Sequence, residues 1–274
     1  MTRALDGYVA TAVIVAVYVI TLYGGRASTL KSDRDSTEVI ARRFLTTTTS
    51  SIVSVALAIW AIARGEGGDD VAFIDAFDRE RWGSMRRALG LSPRMGAWRA
   101  CAYGLVVALT LLAGEWTSST ARCGRYRELT SSGRTMWMNV RDFAHAPLME
   151  ELVFRACATA TMRASGASAL AASAWSTALF ALAHAHHFFA MRARGASFAL
   201  ALRSTRNQLA YTSAFGALAS RVFVRTESLV ATTTCHAACN LIGPPTIPPL
   251  GERRRRTIIT ALGVIGALCV LVRF

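Results

Sequence analysis

The stretch 146–157 reads APLMEELVFRAC: two adjacent carboxylates, Glu150 and Glu151, sit in an apolar run with Arg155 four residues after the second. On a helix Glu150 and Glu151 point about 100° apart, whereas Glu151 and Arg155 share one face at i, i+4. An ionisable group inside a membrane segment costs about 3 kcal/mol on insertion scales, so three together need a purpose. One glutamate can pair with the arginine while the other faces a different direction. That arrangement holds two carboxylates in one place with different proton affinities, as acid–base catalysis requires. A buried ion pair that only fixes helix packing is the plainer alternative.

Two further apolar stretches carry imidazoles. His184 lies four residues after Phe180 and is followed by His186 and His187; His236 lies four residues before Asn240, on one helical face with it. A lone histidine in an apolar segment is ordinarily a packed core residue. Histidines recurring in separate segments beside a glutamate pair point instead to a polar cavity inside a helical bundle. His186 and His187 are weaker candidates, placed at an interface or supporting the rotamer of His184. His145, at a helix start, reads as a capping or surface residue.

Neither G-x-S-x-G nor H-E-x-x-H occurs, so those hydrolase signatures give no support. Glu150, His184 and His236 form a known type of zinc ligand set. The metal-free alternative has a glutamate and a histidine holding one water, with the carboxylate as general base, and a second histidine with an amide donating to the oxyanion. Asn240 favours that scheme, because an amide is a poor zinc ligand and a good oxyanion donor. Cys157, Cys235 and Cys239 suggest a thiol mechanism less well than they suit small apolar positions in helices. A proton-coupled carrier would also use intramembrane Glu, Arg and His, but the interrupted half-helices of an inverted repeat are missing. A catalytically dead scaffold is disfavoured by the complete polar set.

The elements that must position these residues are read from hydropathy. Eight apolar segments are expected, near 6–23, 44–63, 97–114, 142–162, 167–190, 207–224, 228–242 and 257–272. This is an all-α, polytopic membrane protein of about eight transmembrane or membrane-embedded helices around a polar cavity. Pro147 suits a first helical turn, and GPP at 243–245 ends the seventh segment. The mixed loop 64–96 alternates aromatics and charges like an interfacial amphipathic helix. No soluble domain boundary or internal repeat is evident, so 1–274 is taken as a single membrane domain.

The 274 residues are 53% apolar with a formal charge of +14, almost wholly arginine, Lys31 being the sole lysine. The arginines fall mainly between apolar runs, where positive-inside bias and lipid headgroups place them, so nucleic-acid binding is set aside. The six cysteines have no zinc or redox spacing. Loops 1, 3, 5 and 7 hold about twice the basic residues of loops 2, 4 and 6, which would put the odd loops in the cytosol.

Three motifs occur in order: EELVFR as E-E-x-x-x-R, FALAH as F-x-x-x-H and HAACN as H-x-x-x-N. With APLMEELVFRAC, FALAHAHH, YTSAFGA and CHAACNLIGPP they resemble the type II CAAX prenyl endopeptidases, the Ras-converting enzymes, in their eukaryotic branch. The resemblance spans about 139–250, the expected catalytic core. It implies an intramembrane endopeptidase that removes the C-terminal tripeptide from prenylated CAAX proteins such as Ras-like small GTPases. It implies residence in the endoplasmic reticulum membrane with the site facing the cytosol. Glu150 and His184 would activate water, His236 and Asn240 would line the oxyanion site, and Glu151 with Arg155 would orient the first pair. No cofactor is expected, and zinc is the less favoured option. Two departures stand out: no acidic residue follows HAHH, and Ala237–Ala238 replace the aromatic expected after His236. Both bear on pocket shape and substrate preference.

Overall fold

The computed structural model describes residues 2–23, 35–67, 78–244 and 248–273, and every regular element among them is helical. Helices α1 (Thr2–Tyr23), α2 (Thr37–Gly67) and α3 (Arg79–Ala88) open the chain. Then come α4 (Ala97–Leu111), α5 (Ala113–Thr117) and α6 (Ser119–Leu129). A continuous helix, α7, runs over 136–164. It is followed by α8 (Ala169–Ala183), α9 (His186–Ala193) and α10 (Phe198–Thr226). The series closes with α11 (Leu229–Ile242) and α12 (Arg253–Arg273).

The expected apolar segments all fall on these helices, but 97–114 is divided between α4 and α5 and 167–190 between α8 and α9. On length and composition alone, two described helices can cross a bilayer, Thr37–Gly65 and Arg253–Val272; Asp6–Thr21, α4 and α11 are shorter apolar helices. Large apolar side chains such as Ile20, Leu45, Ile52, Leu170 and Leu262 are more than half exposed, more apolar surface than a water-soluble protein ordinarily shows. Part of the loop expected to form an amphipathic helix, 68–77, lies outside the described residues; α3 occupies its second half.

The bundle has two ends that differ in chemistry. At one end Arg141 pairs with Asp35 at 2.8 Å, and Glu252 accepts from Ser118 at 2.7 Å and from Thr120. Arg125 donates to the last carbonyls of α11, Asn240 and Leu241, and a buried pair joins Arg256 to Glu115. At the other end Arg225 donates to the Leu271 and Val272 carbonyls, and the Leu229 amide donates to Gly90. The loops expected to be richest in arginine therefore gather at the first end, insofar as they are described.

Helix α11, which carries His236 and Asn240, is set by its contact with α4. A Cβ on Gly104 would fall 2.1 Å from the Ala231 carbonyl oxygen and 3.0 Å from the Cys235 amide nitrogen. The absence of a side chain thus lets two backbones touch, as small residues do between membrane helices. Gly104→Ala is expected to push α11 away and destabilise the protein by about 1–3 kcal/mol. A lowered melting temperature in detergent would register this; an unchanged one would mean that the α4–α11 contact is looser than described.

Candidate active site

Helix α7 departs from regular α geometry twice, with π-helical turns at Arg141–His145 and Leu152–Cys157 on either side of Ala146–Glu151. Such bulges add a residue to the turn and re-aim the side chains that follow. The first explains how Pro147 sits inside a continuous helix that begins at 136 rather than near 142. The Ala146 amide donates to the Arg141 carbonyl, five residues back, and Pro147 has no amide hydrogen to offer to Asp142. The Asp142 carbonyl is taken instead by Asn240, whose Nδ2 donates to it at 2.9 Å. Pro147 thereby creates the acceptor that ties α11 to α7. One amide hydrogen of Asn240 is committed to this bond and the second remains for another acceptor.

Glu151 and Arg155 share a face, as the i, i+4 spacing implied, with Arg155 Nη1 3.3 Å from Glu151 Oε1, and both are wholly buried. The other partner of Glu151 was not foreseen. Its Oε1 accepts from His236 Nδ1 at 2.8 Å, so the carboxylate that the resemblance would set behind Glu150 and His184 is bonded to His236 instead. This contact has a geometric cause, since α11 packs directly on Ala146–Glu151 and brings His236 to the same face of α7 as Arg155. The Arg155–Glu151 contact is an ion pair without hydrogen-bond geometry, and no nitrogen of Arg155, Nη1 included, has a hydrogen-bond partner among the described residues. The guanidinium lies instead 4.1 Å from the Phe180 ring centre and 5.8 Å from that of Phe215, a cation–π contact of the kind worth most when desolvated.

Glu150 faces outward from this buried chain. Its Oε2 lies 3.9 Å from His236 Nε2, and its side chain is 23% exposed. That distance is too long for a direct hydrogen bond and suits a single bridging water. His184 ends α8, where a two-residue break before α9 interrupts the segment expected to run unbroken over 167–190. Its Nδ1 donates to the Phe180 carbonyl at 2.8 Å. In the neutral ring this leaves Nε2 as an acceptor. The Phe180 ring stands between the two imidazoles, 4.8 Å from His184 and 6.4 Å from His236. Phe215 covers the other side of His236 at 4.5 Å. Glu150, His184 and Asn240 are half-buried, so the polar set reaches the outside of the bundle.

His186 and His187 lie ring to ring at 4.2 Å, about 6 Å from His184, whose orientation comes from the Phe180 carbonyl. His145 is not a surface cap: half-buried in the first π turn, it bonds Thr47 Oγ1 at 2.8 Å and stacks on Phe44 at 4.3 Å, joining α2 to α7. Cys157, Cys235 and Cys239 are buried within the helix packing. Among the described residues no three His, Cys, Asp or Glu side chains are grouped as metal ligands would be. Phe180, Phe215 and Pro147 are the residues whose roles the sequence reading missed. F-x-x-x-H contained the first and YTSAFGA the second, but neither string says that the rings sheathe an arginine.

A helical membrane bundle with a half-open carboxylate–imidazole site is an arrangement suited to hydrolysis within or beside the bilayer. The family described as type II CAAX prenyl endopeptidase Rce1-like matches residues 132–242. CAAX prenyl protease 2 of Arabidopsis thaliana is 30% identical over 259 residues, covering 89% of this chain and 82% of the relative. The probable CAAX prenyl protease 2 of Schizosaccharomyces pombe is 36% identical over 131 residues, 47% of this chain and 48% of the relative. The human CAAX prenyl protease 2 is 35% identical over 130 residues, 46% and 39% of the two chains. No solved structure matches. The chain belongs to the type II CAAX prenyl endopeptidase family, and it is thus a membrane protease.

Removing one partner from a buried ion pair costs about 3–5 kcal/mol, because the other charge is left uncompensated. Arg155→Met is expected to destabilise by that amount in a melting experiment, and Arg155→Met with Glu151→Leu to recover a large part of it. Full stability in the single variant would show that Glu151 does not need the arginine.

Proposed function

We propose that this protein removes the C-terminal tripeptide from prenylated CAAX proteins, Ras-like small GTPases among them, with Glu150 as general base. The observation that carries the reading is the 3.9 Å separation of Glu150 Oε2 and His236 Nε2 above a buried Glu151–Arg155 pair. A water held there can lose a proton to Glu150 as it attacks the scissile carbonyl, and His184 Nε2 helps to orient it. The two carboxylates and one guanidinium leave one negative charge, which an imidazolium at His236 balances. In that state His236 keeps Nδ1–H on Glu151 and offers Nε2–H to the oxyanion, joined by the free amide hydrogen of Asn240. Collapse of the tetrahedral intermediate returns the proton from Glu150 to the leaving amine, freeing the tripeptide and leaving the prenylcysteine as the new C-terminus.

Membrane embedding suits this substrate, because the prenyl chain partitions into lipid while the peptide remains at the surface. The basic end of the bundle, which also carries Asn240 and its Arg125 tether, would face the cytosol of the endoplasmic reticulum membrane. The scheme uses no cofactor. A zinc-dependent version of the same hydrolysis is the competing proposal, and metal analysis with chelator treatment separates them: activity abolished by chelation and restored by zinc would overturn the glutamate–water scheme.

Reconstituted protein is expected to cleave a farnesylated CAAX peptide and to leave its unprenylated counterpart intact. Glu150→Gln, His184→Ala and His236→Ala should each lower kcat at least about 100-fold, the low end for loss of a general acid or base, with unchanged accumulation in membranes. Near-normal turnover in any of them would remove that residue from the scheme.

A further inference from the structure

At the end of the bundle away from the basic loops, α1, α2 and the end of α7 line a half-open cavity of about 510 Å³. Thr161 on its wall is eleven residues beyond Glu150, about 16 Å along the helix axis, so the cavity is separate from the candidate active site. Two glycines bring the helices together around it. A Cβ on Gly7 would lie 2.0 Å from Ser165 Oγ, and one on Gly65 would lie 2.6 Å from the Ala164 carbonyl oxygen.

The lining is divided by chemistry. Val13 and Ile14 of α1 and Leu57 and Ala61 of α2 make an apolar trough, whereas Asp6, Arg64 and Thr161 supply polar groups. The Arg64 guanidinium is stacked on Trp60 at 5.2 Å. Thr161 is only 2% exposed, and its Oγ1 has no hydrogen-bond partner among the described residues. Helical threonines ordinarily bond the carbonyl one turn back, as Thr11, Thr21 and Thr47 do here. An unmet buried hydroxyl is costly, and Thr161 stands in the wall of a space large enough for a ligand.

We propose that the cavity binds one zwitterionic glycerophospholipid. Its phosphate would meet Arg64, its ammonium would meet Asp6, an ester carbonyl would accept from Thr161, and an acyl chain would lie along Val13 and Leu57. An anionic headgroup without an ammonium leaves Asp6 facing negative charge, and a bare prenyl or fatty chain uses none of the three polar groups.

The test uses the full chain, delipidated in mild detergent, with bound lipid counted by native mass spectrometry and melting followed by scanning fluorimetry. Phosphatidylethanolamine, phosphatidylcholine, phosphatidylglycerol, oleic acid and farnesol are added separately. One phosphatidylethanolamine or phosphatidylcholine retained per chain, with a raised melting temperature, is the expected result. Asp6→Asn and Arg64→Gln should each weaken retention about fivefold, the effect of about 1 kcal/mol per charge at a headgroup. Thr161→Val should weaken retention yet leave the lipid-free protein at least as stable, because it removes the unmet hydroxyl. Equal retention of phosphatidylglycerol, preferential retention of farnesol or oleic acid, or undiminished binding in the charge variants would each overturn the proposal.

Discussion

A fully buried guanidinium and a fully buried carboxylate at the centre of an apolar bundle set the terms for everything around them. Taking Arg155 and Glu151 out of water costs several kcal/mol per ion, and one contact at 3.3 Å does not by itself return that. The remainder comes from neighbours on other helices: the imidazole of His236 on α11, the ring face of Phe180 on α8 and that of Phe215 on α10. Four helices are therefore held to one register by a requirement of charge. A slip of any one of them would leave an ion unmatched in a medium that cannot solvate it. The same chain leaves Glu150, one residue before Glu151 and turned away from it, partly exposed beside an imidazole whose orientation is already set.

Backbone irregularity does comparable work. In a regular α-helix through 141–157 Pro147 would leave the Phe143 carbonyl unpaired, rather than that of Asp142. The first π turn and Pro147 together release the Asp142 carbonyl, and Asn240 occupies it. On the other side of the site, His184 stands at the end of α8, where its ring bonds the carbonyl one turn back and exposes its other nitrogen. Had the helix continued regularly into α9, the Phe180 carbonyl would be the partner of a backbone amide and the imidazole would lose its anchor. Both irregularities convert main-chain groups into partners for site side chains, which keeps the number of costly charged residues in the membrane small.

Much of this protein can be read from its residues alone. The apolar segments locate the helices, because chain in lipid must satisfy its backbone internally and is driven to helix wherever it is apolar enough. The pairing of Glu151 with Arg155 follows from their spacing on one face, and the candidacy of His184, His236 and Asn240 follows from the cost of placing polar groups among apolar ones. The two π turns left no trace in that reading, since a single added residue per turn barely alters hydropathy. Nor did the break after α8, because Ala–His–Ala contains neither the glycine nor the proline that ordinarily marks a helix end. His145 was misjudged for a related reason: its partner Thr47 is 98 residues away, and nothing local announces it.

Composition and spacing by themselves determined the all-helical, membrane class of fold, the approximate apolar segments, and the common face of Glu151 and Arg155 with Glu150 turned away from it. Only the tertiary structure decided that Glu151 serves His236, that Asn240 is half committed to the backbone of α7, and that two phenylalanines sheathe the arginine. Periodicity along a helix reports which residues share a face. Which face of another helix meets it depends on close backbone approach, such as that of Gly104 on Ala231, and such contacts join positions more than 100 residues apart.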